Sequence, residues 1–426
     1  MARRGQRKYS YTRRGRSREV KAAVVLAATL ALGIATLLTG CSEKESFSPD
    51  LAGGLGSDSL FRSVTLSPVL EMTAKSGESA GNPYESRRLV VCNWRGYRSR
   101  CFLRFSALPD TTIEVTKATL FLYATRIQST TPANVFGLYT LADSLYEETV
   151  TWESMPGLDT QVATFSLASP DPATMVADSV TLDVTSLVTS WMMEEGENLG
   201  LAVKLEDEVS SDVIVEFASR EDQSTREVVA GDDTSDFYVR PVIRIEYTDG
   251  DTSYVQSLST EDTFAAIQLA PLPDSLLACG NGFPSRAFLQ FDLGAIPREA
   301  TVIRADLKLS VDLEASSFDS IAVICHALVD SMTGFASGYG VTGTGSKILW
   351  YPEIKNDQSF TMNITALVQP AVSRDVTNRG IFVKSRAEIS DLDFVVFDSI
   401  MGGQPDKAAR LQVEYVLPAA PRYWKD

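Results

Sequence analysis

Three observations predict an all-β chain built as two tandem jelly-roll-like β-sandwich modules. Short runs alternate apolar and polar residues between turn clusters, long segments of helical period are scarce, and one ordered set of motifs occurs twice. In Ala118–Tyr123, residues Ala118, Leu120 and Leu122 share a face. Ala305, Leu307 and Leu309 do the same in Ala305–Ser310, with a polar opposite face, as in a strand buried on one side. Ser99–Phe105 (SRCFLRF) answers Ser285–Phe291 (SRAFLQF) at an offset of 186, and Leu108-Pro109 answers Ile296-Pro297. Leu182–Val188 answers Met362–Val368, and Asn198–Lys204 answers Asn378–Lys384, both at an offset of 180; Ile243–Tyr247 and Leu411–Tyr415 close the two copies. The expected cores hold Leu103, Phe105, Leu120 and Leu122 in the first copy and Leu289, Phe291, Leu307 and Leu309 in the second.

The first 21 residues carry nine Lys and Arg against one acid, Glu19, and an uncharged apolar run follows from Ala22 to Leu38. That order reads as a secretory signal, too short for a comfortable membrane span. It ends in Leu38-Thr39-Gly40-Cys41, which resembles a bacterial lipobox. The expected organisation is a lipoprotein signal peptide at 1–40, with Cys41 as lipid acceptor and first mature residue, and a Ser-, Gly- and acid-rich flexible tether at 41–60. Module 1 is expected at 61–249, module 2 at 250–417 and a short tail at 418–426. Ser42 stands where retention signals place Asp, which points to the outer membrane or cell surface. The signal holds nine of the 39 Lys and Arg and one of the 55 Asp and Glu. The mature chain therefore has 30 basic and 54 acidic residues, a net charge of −24 that disfavours nucleic acid as a partner.

The first copy also resembles the DNRLRE module of secreted and surface proteins, a group that includes carbohydrate-binding module family 96. The resemblance is carried in order by Arg100–Phe105, Leu108-Pro109, Ala118–Tyr123, Glu148–Trp152, Leu182–Trp191, Asn198–Leu201, Ser219-Arg220-Glu221 and Arg240-Pro241. It implies a jelly-roll-like sandwich with an attachment or carbohydrate-binding role. The second copy is degenerate: it has no Glu-Thr-Val-Thr-Trp segment, no tryptophan answering Trp191, and Ser399-Ile400-Met401 where the first has Ser219-Arg220-Glu221.

Most single motifs read as structural. Asp183 and Asn363 precede Thr-x-Leu-Val, where a short acceptor caps a helical turn. Trp152 and Trp191 read as core aromatics, Gly200 and Gly380 as turn or close-approach positions, and Arg220 with Glu221 as an ion pair. The single histidine, His326, lies on the apolar run Ile321–Leu328 and reads as a buried residue, not a catalytic base. There is no Gly-x-Ser-x-Gly elbow, zinc spacing or phosphate loop, so no catalytic residue, metal or cofactor is expected. The acidic loop 231–236 reads as solvated in preference to calcium-binding.

One segment runs against the charge of the whole. Between Glu85 and Arg104 lie six arginines and one acid, around a hairpin loop, Asn93–Arg98. Trp94, Arg95, Tyr97, Arg98 and Arg100 are the expected contacts to an acidic polysaccharide, with aromatic faces for sugar C–H groups and planar guanidinium forks for carboxylates. Cys92 and Cys101 flank the loop and are expected to form a disulfide; Cys279 pairs with Cys325 or stays free. The functional expectation is a non-enzymatic, membrane-anchored surface protein that binds carbohydrate or adheres. The alternatives are a structural or assembly lipoprotein of the envelope, and a polysaccharide-degrading enzyme.

The anchor is directly testable. Labelled palmitate should enter the wild-type protein and not Cys41→Ala; equal labelling of both would end the lipoprotein reading.

Overall fold

A computed structural model describes residues 61–75, 83–109, 114–130, 133–168, 179–193, 196–222, 225–230, 233–249, 251–270, 272–318, 320–331, 334–335, 339–349 and 358–418. The expected signal, Cys41, the tether, Gly231 and Asp232 of the acidic loop, and all but the first residue of the tail lie outside them.

The strands, in chain order, begin with β1 (Phe61–Leu66) and β2 (Pro68–Lys75). There follow β3 (Arg88–Trp94), β4 (Tyr97–Arg104), β5 (Val115–Ser129), β6 (Ala133–Leu141), β7 (Leu158–Ala168), β8 (Ser179–Asp183), β9 (Leu201–Leu205), β10 (Val213–Ala218), β11 (Thr225–Ala230), β12 (Asp233–Tyr238) and β13 (Val242–Asp249). The second half holds β14 (Asp251–Leu258), β15 (Glu261–Gln268), β16 (Leu277–Gly280), β17 (Ser285–Phe291), β18 (Thr301–Ser317), β19 (Ser320–Leu328), β20 (Tyr339–Leu349), β21 (Gln358–Asn363), β22 (Ile381–Ser385), β23 (Phe394–Phe397) and β24 (Arg410–Val416). Two short helices interrupt them, α1 (Thr185–Met192) and α2 (Thr365–Val372).

All but β11 and β12, which pair as a separate hairpin, form two curled sheets with one topology. The first runs β14-β13-β5-β10-β3-β4-β9-β6-β7, with β15 on β4 and β8 on β5. The second runs β1-β24-β18-β23-β16-β17-β22-β19-β20, with β2 on β17 and β21 on β18. All eight core residues expected from alternation are buried, in two clusters, one in each sandwich. The helix N-caps are Val184 and Ile364, without side-chain caps, and Asp183 and Asn363 one residue earlier each take the first helical amide. The Asp183 carboxylate accepts the Thr185 N–H at 2.9 Å, and Asn363 Oδ1 accepts the Thr365 N–H at 3.2 Å. Both threonine hydroxyls in turn accept a strand amide, Ala118 and Ala305 respectively, so each helix is tied to the long strand beneath it.

The pairings cross the expected boundary between 249 and 250. Strands β1 and β2, at the start of the first segment, close the second sandwich: β1 pairs β24, and β2 pairs β17 from Lys75 opposite Ser285 to Pro68 opposite Phe291. Strands β14 and β15, from the second segment, close the first: β14 folds back on β13, and β15 pairs β4 along its length, Gln268 opposite Tyr97 to Glu261 opposite Arg104. The first two strands of each segment are thus exchanged within one chain. Units 61–249 and 250–417 are not separate sandwiches, because backbone ladders tie each to the other.

Side chains select this arrangement. Phe264 on β15 stands opposite Cys101 and is fully buried in the first core. The same position on β2 is Thr73, opposite Ala287, and its hydroxyl donates to the Leu276 carbonyl at 2.7 Å and accepts the Ala278 N–H at 2.8 Å. Placing β2 on β4 would leave a phenylalanine-sized void in the first core. Each exchanged strand also carries a buried carboxylate two residues earlier. Asp262 accepts the Arg220 N–H and Glu71 accepts the Ile400 N–H, both at 2.9 Å, and these amides are equivalent in the 180 repeat. Burial raises both carboxyls, Asp262 to about 7 with the nearby Glu221 charge adding to the effect.

If Phe264 is what directs β15 to the first sandwich, Phe264→Thr should cost about 3–5 kcal/mol in urea unfolding. A loss below about 1 kcal/mol would show that the void argument does not select the pairing.

Candidate functional site

The hairpin expected to carry the ligand forms as read. Arg95 and Gly96 have φ of 48° and 85°, giving a two-residue turn between Trp94 and Tyr97, which are partners across β3 and β4. Its tip, however, is driven into the second sandwich. Trp94 and Tyr97 are each 4% exposed. The Tyr97 ring lies 5.1 Å from Phe283 and 5.5 Å from Phe394, and Trp94 Nε1 donates to Ser317 Oγ at 2.8 Å. Arg95 is exposed and donates to the Glu314 carbonyl. The expectation that Trp94 and Tyr97 offer open faces to a sugar is therefore corrected. They are core residues of the contact between sandwiches, in one apolar cluster with Phe283, Leu392, Phe394 and Val396.

Beside them lies a buried ionic group. Arg126 donates to Glu216 at 2.8 Å and to Asp393 of the second segment, and its other nitrogen reaches Gln128 at 3.0 Å and Ser317 at 3.2 Å. Burial alone would lower the guanidinium, but the Asp393 and Glu216 charges hold it raised. Burial raises both carboxyls, against the pull of Arg126.

Four more arginines of the basic run are engaged as well. Arg88 pairs with Asp222, Arg98 donates to the Glu208 carbonyl at 2.8 Å, and Arg104 lies 3.5 Å from Glu261. Arg100 forms a two-pronged bond with Glu208 at 2.7 and 2.8 Å. The acids that neutralise the run come from β10, β15 and loops distant in sequence.

Cys92 and Cys101 are free thiols, which corrects the expected disulfide. Cys92 stands opposite Ser99, whose hydroxyl donates to its sulfur at 3.2 Å, while Cys101 is two residues further along β4, opposite Val203 on β9. That diagonal exceeds the span of a disulfide. Burial pushes the Cys92 thiol up to about 12 and raises Cys101 too. Cys279 and Cys325 are likewise buried free thiols.

A different surface gathers recognition chemistry. On the outer face of the first sandwich, register puts Arg100 of β4, Lys204 of β9 and Gly137 of β6 in one row, and Phe102, Ala202 and Tyr139 in the next. The segment 142–157, including a 3-10 turn at Glu147–Thr149, folds over Phe102 and packs Leu145, Val150 and Trp152 on it. Trp152 stays half-exposed, with the Arg100 guanidinium 5.3 Å from its ring. The Lys204 ammonium lies 5.0 Å from the Tyr139 ring. Tyr139 Oη donates to Glu206 at 2.8 Å, and Gln161 donates to Glu206 at 3.0 Å and to Tyr139 Oη at 3.1 Å. Gly137 makes room for this network: a Cβ there would collide with the Glu206 carboxylate and the Tyr139 ring. The result is a shallow band of two half-exposed aromatics, two cations and planar polar groups.

The sequence reading included Arg100 and placed Trp152 in the core; it missed Tyr139, Gln161, Lys204 and Glu206. The available signal was in β6, where Gly137 and Tyr139 alternate with the buried Phe136 and Leu138.

The second sandwich repeats the charges but closes the face. Arg286 and Lys384 are partners across β17 and β22 and share Glu388, at 2.8 and 2.7 Å. Phe335 covers Arg286 at 3.9 Å, and the buried His326 stacks on Phe382 at 5.4 Å. His326 stands where Tyr139 does in the first sandwich, each opposite the second residue of the adjoining short strand. Among the described residues, no group of three His, Cys, Asp or Glu side chains is placed to hold a metal ion.

Fold and surface together define an all-β sandwich scaffold with a partly open face of aromatic and charged side chains. Residues 62–230, which contain that face, match carbohydrate-binding module family 96. No curated protein matches the chain. Among solved structures, an α-L-rhamnosidase of Streptomyces avermitilis complexed with L-rhamnose aligns at 12% identity over 84% of this chain and 28% of its own, with a TM-score of 0.15. The chain thus spans little more than a quarter of that protein. A structure of infectious bursal disease virus, Gx strain, aligns at 9% identity over 84% of this chain and 82% of its own, with a TM-score of 0.08. These scores assign no shared fold.

The buried ionic group yields a stability test. Arg126→Met should cost about 3–5 kcal/mol in denaturant unfolding, because the buried Asp393 would lose its ion-pair partner and Glu216 would keep only Arg88, 3.9 Å away. A cost within about 1 kcal/mol would show that the two carboxyls do not need it.

Proposed function

We propose that the chain binds carbohydrate on the outer face of the first sandwich, and that it does so as a lipid-anchored protein of the bacterial surface. The observation that carries this reading is the placement of half-exposed Trp152 and Tyr139 on either side of Arg100 and Lys204, within the segment that matches the carbohydrate-binding family. Aromatic faces take sugar C–H groups, and the Gln161, Glu206 and Glu208 side chains suit hydroxyls. Arg100 and Lys204 are balanced by Glu206 and Glu208, so preference for an acidic polysaccharide rests on a sugar carboxylate competing with those glutamates. Such a contact is partly exposed and weakens with salt. No bond-breaking chemistry is assigned to this face, so the ligand should be recovered intact.

A second reading has its own observation. The Arg–Lys–Glu set occurs on both sandwiches, as Arg100, Lys204 and Glu208 and as Arg286, Lys384 and Glu388, which is what a purely structural brace would do. In that case the protein is an assembly component of the envelope.

Titration of neutral and uronate-rich polysaccharides against the wild type, Trp152→Ala and Tyr139→Ala separates the two. Carbohydrate binding predicts a loss of roughly tenfold for either variant, of the size expected for one aromatic contact. Equal affinity in all three, or no binding by the wild type, would favour the structural reading.

A further inference from the structure

The second sandwich has an apolar opening. It lies between α2, the turn that leads into β22 and the end of β19, and is lined by Phe291, Leu328, Leu367, Ala371, Val376 and Ile381, with Asn378 and Arg379 at its polar rim. In the 180 repeat, Ala371 answers Trp191. Trp191 is buried in the first core with Val184, Val188 and Leu201, the counterparts of the opening's Ile364, Val368 and Ile381. The opening therefore has the lining of an indole site from which the indole has been removed by substitution. An apolar cavity of this kind favours a planar apolar guest over water.

The chain carries a candidate guest close by. Val416, at the end of β24, stands opposite Thr301, and Leu417 packs on the second core. Gln369 of α2 reaches the same place: its side chain accepts the Val302 N–H at 2.6 Å and donates to the Ala300 carbonyl at 3.3 Å. The chain thus leaves the sheet beside the helix that carries Ala371. The sequence continues Ala419-Ala420-Pro421-Arg422-Tyr423-Trp424-Lys425-Asp426. Trp424 lies seven positions beyond Leu417, a reach of up to roughly 25 Å, against a helix about 10–12 Å across.

We propose that the indole of Trp424 seats in this opening and restores to the second sandwich, from the C-terminal tail, the aromatic ring that Trp191 supplies to the first. The proposal does not depend on carbohydrate binding.

The test uses the full mature chain and reads its thermal unfolding midpoint with and without free indole. Trp424→Ala should lower the midpoint by a few degrees and acquire an indole-dependent rise that the wild type lacks. Ala371→Trp fills the opening from within, so in that background removing Trp424 should change nothing and indole should have no effect. The Trp424→Ala and indole comparison stands by itself if Ala371→Trp does not fold. An unchanged midpoint in Trp424→Ala would overturn the proposal, and so would an equal response to indole in wild type and Trp424→Ala. An undiminished loss in the Ala371→Trp background would do the same.

Discussion

Hydrogen bonding along one edge of β4 and one edge of β17 governs the rest of the architecture. On its other edge β4 is shared between β3 and β9, and β17 between β16 and β22. The remaining edge of each is a run of backbone donors and acceptors that needs a full-length partner. That partner comes from the other half of the chain, β15 in one case and β2 in the other. The exchange brings the two sandwiches together, presses the β3–β4 hairpin tip against β16 and β23, and creates the buried surface in which Trp94, Tyr97 and Arg126 lie. The buried carboxylates of Asp262 and Glu71 each take up the amide of an equivalent turn, so both donated strands are seated by the same contact.

Charge is handled in keeping with that arrangement. From Cys41 onward the sequence is strongly acidic, and a basic stretch within it lies in strands at the heart of the first sandwich. There the arginines bridge strands and, through Arg126 with Asp393, bridge sandwiches. A desolvated ionic group of this kind adds little net stability over well-packed apolar side chains, but it penalises any packing that leaves one of its members alone. It therefore favours one relative placement of the two sandwiches over others.

The two sandwiches have diverged around a shared frame. Both keep the glycine before the short strand, Gly200 and Gly380, at positive φ, where a Cβ would press on the carbonyl of Leu103 or Leu289. Both keep the Arg–Lys–Glu set. The first leaves Trp152 and Tyr139 partly open over it, and the second covers it with Phe335 and replaces the tyrosine with a buried histidine. Conversely, the first fills the space beneath its helix with Trp191 and the second does not. A partly open aromatic face in one copy and an apolar opening in the other are the visible products of that divergence.

Much of this was legible in the sequence, because alternation reports which side of a strand faces a core. Leu103, Phe105, Leu120, Leu122 and their second-copy counterparts were identified that way, and the contacts of Asp183 and Asn363 to the first helical amide followed from local geometry within three residues. The repeat offsets carried the shared topology of the two sheets. Alternation does not report what covers the other side. Trp94 and Tyr97 occupied a hairpin tip in either case; only the docking of Phe283 and Phe394, nearly 200 and 300 residues away, turned them from exposed to buried. Cys92 and Cys101 flank a short loop, but the register across it sets Cys92 opposite Ser99. Lys204 and Tyr139 joined Arg100 only through pairings between strands far apart in the chain. Local sequence determined the strands, their buried faces and their caps. The choice of partner strand was decided by tertiary structure, since each ladder is a non-local agreement between two segments and neither encodes it alone.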